Sequence, residues 1–265
     1  MPKNNKIFKL DEVTKRIKEI SFLPPKKNEI VPNQLISMPE LDDSFLDIQL
    51  PFIKITHGGF PQKGNSLYET FLQRANAISV PIQHGDQIYN FLSAVQNEIE
   101  SKIEELIPED KKKTEIDFLD IIREYENQKK STTEYSFRTR LNLKIIDQKK
   151  EDYKILTSIY KKEDKSEFEI NTVEDVEKII RYGSEVQFII RLNKMYINTK
   201  NEGTKKDPKY KMGVTFKILS AQVKDSQNNN NINYKTNYVF SNDDDDEEIT
   251  TAPTINTDNL DDFED

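Results

Sequence analysis

Residues 173–197, VEDVEKIIRYGSEVQFIIRLNKMYI, contain the change of pattern on which the fold turns. Val173, Val176, Ile179 and Ile180 recur at helical spacing for one or two turns. Gly183 then stops the helix, because glycine takes the left-handed conformation at a helix C-terminus without a steric penalty. From Ser184 the period becomes two. Val186, Phe188, Ile190, Leu192, Lys194 and Tyr196 are predicted to share one side of a long strand, and Gln187, Arg191, Asn193 and Met195 the other, with Ile189 between them.

The same period runs on both sides of this stretch. In EYSFRTRLNLKII (134–146), Tyr135, Phe137, Thr139, Leu141, Leu143 and Ile145 alternate with Ser136, Arg138, Arg140, Asn142 and Lys144. The pattern predicts a strand with one apolar and one basic face. DYKILTSIY (152–160) follows the turn DQKKE, so a hairpin is expected. YKMGVTFKILSAQV (210–223) reads as the last strand, with Val214, Phe216 and Ile218 against Thr215, Lys217 and Leu219. Gly213 near its start suits a bulge or a bend at a barrel corner.

Upstream, residues 1–48 read as an N-terminal arm. Ile7, Leu10, Val13 and Ile17 give a short amphipathic helix, Pro24-Pro25 closes it, and residues 26–48 are expected to wrap over the domain in extended form. Short strands are predicted at 49–57 (QLPFIKITH) and 76–83 (NAISVPIQ). The glycine-rich loop between them lacks the GxxxxGK[ST] pattern of a phosphate cradle. The longest helix runs from an Asp86 N-cap to about Leu106, with Ile88, Leu92, Val95, Ile99 and Leu106 in one stripe. KKKTEIDFLDIIREYENQKK (111–130) is predicted to be a second, smaller helix.

Five or so strands with a long helix between the second and third suggest a mainly β domain over 49–225. The expected form is an oligonucleotide-binding (OB) barrel with an inserted helix, and an antiparallel sandwich stays open. An Asn-rich linker (226–241) and a disordered acidic tail (242–265) are expected to follow.

The 265 residues contain no Cys and no Trp, and His57 and His84 are the two histidines. That excludes disulfides, thiolate metal sites and a cysteine nucleophile, and leaves little for a histidine-based triad. The two histidines lie beside glycines and read as turn residues. Paired carboxylates such as Asp42 and Asp43 arise by chance among 47 acids. A non-enzymatic chain without a cofactor or metal is expected. No apolar run approaches the roughly 18 residues of a membrane span, and the opening MPKNNKIFKLDEV lacks a signal-peptide core, so an intracellular protein without a membrane partner is expected.

The net charge of −8 is unevenly distributed. From Asn242 onward there are eleven acids and no Lys or Arg, so the remainder holds 39 basic against 36 acidic residues, a net of +3. Residues 1–130 carry 18 basic and 21 acidic groups, and residues 131–241 carry 21 and 15. A basic second half therefore precedes an acidic tail. Cations interleaved with aromatics on a sheet face suit single-stranded nucleic acid, since cations track phosphates and aromatic faces stack on bases. The candidates are Arg138, Arg140, Lys144, Arg191, Lys194, Tyr196, Tyr210, Lys211, Phe216 and Lys217. The competing reading makes Phe188 and Phe216 core residues and the cations an ordinary solvated face. In the tail, Asp243, Asp244, Asp245, Asp246, Asp261 and Asp262, with Leu260 and Phe263, combine polyanion and apolar anchor. Such a segment can occupy the protein's own basic groove or hook a partner, and the linker supplies the tether.

The order AISVPIQHGDQIYNFLSAVQNEIE, EYSFRTRLNLKI, VEDVEKIIRYGSEVQFIIRLNKMYI, YKMGVTFKILSAQV and DNLDDFED resembles the single-stranded DNA-binding proteins of podovirus phages and their relatives in large eukaryotic DNA viruses. The resemblance covers roughly residues 49–225 and the tail. It implies an OB fold, sequence-independent binding of single-stranded DNA in replication, recombination and repair, and no catalysis. It further implies an acidic tail that competes with DNA and recruits replication proteins such as a polymerase or helicase. The expected location is then a viral replication site in the host cytoplasm or nucleus. By placement on the matching strands, Arg138, Arg140, Lys194, Tyr196 and Lys217 become the site candidates. The alternative is a protein-interaction or chaperone-like adaptor whose tail engages a basic partner, and a third reading is an enzyme acting on nucleic acid. DNA is not distinguished from RNA, and a homodimer through the tail stays open.

Overall fold

A computed structural model of the chain describes residues 6–29, 31–61, 70–107, 115–127, 131–147, 152–200 and 209–224. The linker and tail expectations, including Asp243 to Asp246 and Leu260 to Phe263, lie outside the described residues.

The chain begins with β1 (Ile7–Lys9), α1 (Leu10–Lys15) and a 3-10 turn at Ile17–Glu19. Short strands follow: β2 (Ser21–Phe22), β3 (Lys26–Lys27), β4 (Gln34–Ser37), β5 (Pro39–Leu41) and β6 (Ser44–Phe45). Next come β7 (Asp47–Lys54), α2 (Phe71–Ala75), β8 (Ile78–Ile82), α3 (Gln87–Ser101) and α4 (Ile103–Leu106). The second half adds β9 (Glu115–Phe118), β10 (Ile122–Asn127), β11 (Thr132–Leu141), β12 (Leu143–Asp147), β13 (Asp152–Ile155) and β14 (Ser158–Lys161). It closes with α5 (Val173–Ile179), β15 (Glu185–Asn198) and β16 (Lys209–Val223).

The fold is mainly β. Its centre is the long antiparallel pair β15–β16, flanked by β7 on one side and by β11 and β14 on the other. The main strand path runs β1-β7-β15-β16-β11-β10, and no pairing among the described residues returns it to β1. The sheet is open, where the sequence pattern predicts a barrel. One reason is visible at β11. Its residues 135–137 pair with β8 and with β10 at once, so both of its edges are occupied. It meets β16 only at Arg140 and Leu141.

The helix expected over 111–130 is not formed in its described part. Residues 115–118 and 122–127 are strands β9 and β10, paired with β16 and β11. Ile116 and Phe118 alternate with Glu115 and Asp117, a period of two that competes with the helical spacing of Ile116, Leu119 and Ile122. Edge pairing decides between them.

The stretch read as an arm also differs from expectation. β1 pairs in parallel with β7, and β4 pairs with β15. The boundary drawn at residue 48 falls inside β7. Phe8, Leu10, Val13, Ile20, Leu41, Leu46 and Ile48 are all in the main core. The same core holds the buried face of α3, formed by Ile88, Phe91, Leu92, Val95 and Ile99, against which α1 and the 3-10 turn pack. Each such fully buried side chain contributes roughly 1.5–3 kcal/mol, so the first 48 residues stabilise the domain itself. The helix α3 starts where the sequence places it, with the Asp86 carboxylate accepting from the Tyr89 amide at 2.7 Å.

An ion pair anchors α1 to the β5–β6 turn. The Arg16 guanidinium donates to both Asp42 oxygens, at 2.6 and 2.9 Å. Hydrogen bonding from Arg16 is the first cause that lowers the Asp42 pKa, from 3.8 to about 2. A depressed folded-state pKa gives stability that is present above the unfolded value and is lost as pH falls through the folded one. The Asp42 contribution should therefore disappear between about pH 4 and pH 2. Asp42→Asn is expected to flatten the fall of thermal midpoint across that window. Asn suits the positive φ of 53° found there. An unchanged acid profile in the variant would count against the pairing.

Candidate nucleic-acid interface

Strand register determines which cations share a face. Arg140 of β11 stands opposite Lys217 of β16, Lys217 opposite Arg191 of β15, and Arg191 opposite Asp47 of β7. Directly opposed residues point to the same side of a sheet, so these four form one transverse row.

A bulge extends the row along the strands. Between Leu192 and Lys194 the register shifts, and Lys194 pairs with Thr215 and Tyr196 with Gly213. One extra residue in β15, at Asn193, moves everything after it to the other face. The sequence pattern placed Lys194 and Tyr196 opposite Arg191, but the bulge puts all three together. By alternation with Arg140 and Lys217, Arg138 and Lys211 join the same side. Arg138, Arg140, Arg191, Lys194, Tyr196, Lys211 and Lys217 thus lie on one face of three neighbouring strands.

Burial divides this set. Arg138 is exposed, and Lys211 and Tyr196 are half-buried. Lys194 is 1% exposed, Arg140 6% and Lys217 8%. In this conformation a phosphate cannot touch the Lys194 ammonium. Arg140 donates to Thr215 Oγ1 at 3.2 Å. Beside Arg140 and Lys217, the side chains of Leu72, Asn76, Leu141, Leu143 and Ile145 line a cleft of about 10 Å³. That is about one water and far too small for a base. Arg191 donates to Asp47 Oδ1 at 2.6 Å and Oδ2 at 2.8 Å, and its guanidinium lies 4.3 Å from the centre of the Phe45 ring. Both partners come from the stretch read as an arm or its junction with the domain, so the arm covers part of the basic face.

Gly213 does not make a bulge. A Cβ there would lie 2.7 Å from the Tyr196 hydroxyl and 2.9 Å from its Cζ. The missing side chain gives the Tyr196 ring its seat. The two remaining aromatic candidates sit on the core side. Tyr210 is in the main core, and Phe216 packs edge-on against Phe137 at 5.6 Å.

Lys144 lies apart, because the strand predicted over 134–146 breaks at Asn142 and β12 pairs with β13 as the expected hairpin. Lys144 stands directly opposite Lys154, and both are exposed. Like charges in that position destabilise a hairpin, and a bound anion relieves the repulsion. Lys154 was missed in the sequence because only the register reveals its partner.

The histidines hold structure together. His57 Nε2 lies 2.9 Å from the Tyr135 carbonyl, and His84 packs on Tyr89 and Tyr135. Burial first, then Glu124, raises the Tyr135 pKa above its ordinary value. Among the described residues, no group of three or more His, Asp or Glu side chains is placed to hold a metal ion. None of the described helices is long and apolar enough to cross a membrane.

No protein-family model matches the chain, and no curated protein matches it.

Proposed function

We propose that this protein binds single-stranded DNA without sequence preference and has no catalytic activity. It would do so in viral-type DNA replication, recombination and repair. The open sheet would act as an OB-like platform. The acidic tail would compete with DNA for it and recruit replication proteins such as a polymerase or helicase.

One observation carries the reading: cations from β11, β15 and β16 converge on a single face. Seven Lys and Arg side chains stand there, Lys209 among them tied to Glu115 at 2.9 Å, between Asp47 at one edge and Asp117, the β9 neighbour of Lys211, at the other. Lys194, Arg140 and Lys217 are buried and Arg191 is held by Asp47, so they act on a polyanion through the field that the face projects and not by contact. Arg138 and the Lys144–Lys154 pair supply exposed groups that phosphates can reach.

The test is an oligonucleotide titration at several salt concentrations. With about four phosphates neutralised at about 0.7 each, log K should fall against log salt with a slope of roughly −3. A single strand should outcompete the same sequence as a duplex. Affinity that ignores salt would sink this reading. Binding of a basic protein with no binding of DNA would favour the adaptor reading instead.

A further inference from the structure

A second basic surface lies at the opposite end of β15 from Tyr196, where four chain segments finish side by side. Lys54 of β7 pairs in register with Glu185 of β15. The Lys224 amide donates to the Glu185 carbonyl at 3.0 Å, and the Lys162 amide to the Val223 carbonyl at 2.9 Å. These backbone bonds fix Lys54, Lys224 and Lys162 along one rim. The turn leading out of α5 is tied to the same rim. Gly183 donates to the Ile55 carbonyl at 2.7 Å, and Ile55 to the Ser184 carbonyl at 2.9 Å. Arg181 and Tyr182 project from that turn, both exposed.

The charges on this rim are not balanced. Lys162 Nζ and Lys224 Nζ both sit over the Phe52 ring, 4.5 and 4.7 Å from its centre. Two ammonium groups on one ring repel each other. The acid built into the rim is Glu185, which Lys224 holds by a hydrogen bond. Attraction from Lys224 first, and from Lys54 and Lys162 after it, keeps that carboxylate below its ordinary pKa and therefore ionised. Glu163 follows Lys162 in the chain, is exposed and has an interaction of its own. Lys54, Lys162 and Arg181 have no carboxylate within ion-pair distance among the described residues. Tyr182 is 77% exposed on a turn fixed at both ends, where Gly183 takes a φ of 89°. A large ring left in water on a tethered turn forgoes burial and is accessible for stacking on a base.

We infer that this rim is a direct contact for the phosphate backbone of a single strand, with Lys54, Lys162, Lys224 and Arg181 on the phosphates and Tyr182 stacked on an unpaired base. The inference rests on the proposed single-strand binding and names where the strand touches. Phe52 holds Lys162 and Lys224 in place by cation–π attraction, so its role is positioning.

The test uses the full chain, a fluorescent oligothymidylate of about twenty nucleotides, and anisotropy titrations between about 50 and 200 mM salt. The triple variant Lys54→Ala/Lys162→Ala/Arg181→Ala removes exposed groups that make no ion pair among the described residues, and a thermal midpoint equal to the wild type confirms its fold. Its salt slope should be shallower by about 2, at about 0.7 per lost phosphate contact. Tyr182→Ala should weaken binding on the order of tenfold or more, and Tyr182→Phe should retain it, because stacking needs the ring and not the hydroxyl. Unchanged affinity and slope in both the triple variant and Tyr182→Ala, with the wild type still binding, would overturn this contact and leave the proposed function standing. Failure of the wild type to bind would overturn both.

Discussion

Asp47→Ala is expected to destabilise the protein by about 3–5 kcal/mol, the usual cost of removing one partner from a buried ion pair. The Asp47 and Arg191 side chains are 3% and 11% exposed. The pair is bidentate, so two charge-assisted bonds are lost together. What remains is a guanidinium enclosed by Phe45 and standing opposite Lys217. Few waters can reach it, and its nearest row neighbour repels it. Urea unfolding should show a lower midpoint with an unchanged slope, which separates lost stability from altered compactness. The double variant Asp47→Ala/Arg191→Met should recover most of the loss, because an apolar chain of similar length can fill the space without a charge. A loss below about 1 kcal/mol in the single variant would mean that the pair behaves as a surface ion pair. The result bears on function too. Arg191 is the link between Asp47 and the basic row, and its orientation is set by Asp47 and Phe45.

How far the fold could be read in advance depended on whether a pattern was local. The cap of α3 at Asp86 and the β12–β13 hairpin need information from only a few residues, and both are present. α5 ends earlier than expected, at Ile179 with Ile180 as its C-cap, and Gly183 takes its positive φ in the turn that follows. The starts of β15 and β16 fall within one residue of expectation. The partners of residues 115–127 are not local. Ile116 pairs beside Tyr210 and Ile122 opposite Phe137, and those sheet edges override a helical spacing. The first 48 residues read as an arm because short strands broken by prolines carry little periodicity. Their pairing with β7 and β15 lies in register, which composition does not encode.

The candidate site shows the same limit more sharply. Alternation alone set Arg191 against Lys194 and Tyr196. A single inserted residue at Asn193 reverses that, and nothing in RLNKMYI marks it, since Arg191 and Lys194 beside it are polar too. Burial was equally hidden. Lys194 and Lys217 look like surface lysines in the sequence and are enclosed in the fold. The exposed rim at Phe52, Lys162 and Lys224 joins residues from three distant segments, so no window of sequence contains it.

Deleting residues 242–265 is expected to tighten binding to single-stranded DNA on the order of tenfold at low salt. The segment removes eleven acids and no base from the chain, which changes the net charge from −8 to +3. A tethered competitor acts at an effective concentration in the millimolar range when its linker is short and flexible. If the tail binds the basic surface with a dissociation constant near 10⁻⁴ M, typical of non-specific polyanion contacts, it blocks that surface about nine-tenths of the time. Releasing it then raises apparent affinity about tenfold. The gain should shrink as salt rises, because the contact between tail and body is screened like that between DNA and body. Neutralising Asp243 to Asp246 with Asn should give part of the same gain. Phe263→Ala should give little, since an aromatic anchor serves a protein partner and not the competition for charge. Equal or weaker DNA binding after truncation would leave the tail no competing role, and its acids would then act on solubility or on a partner alone.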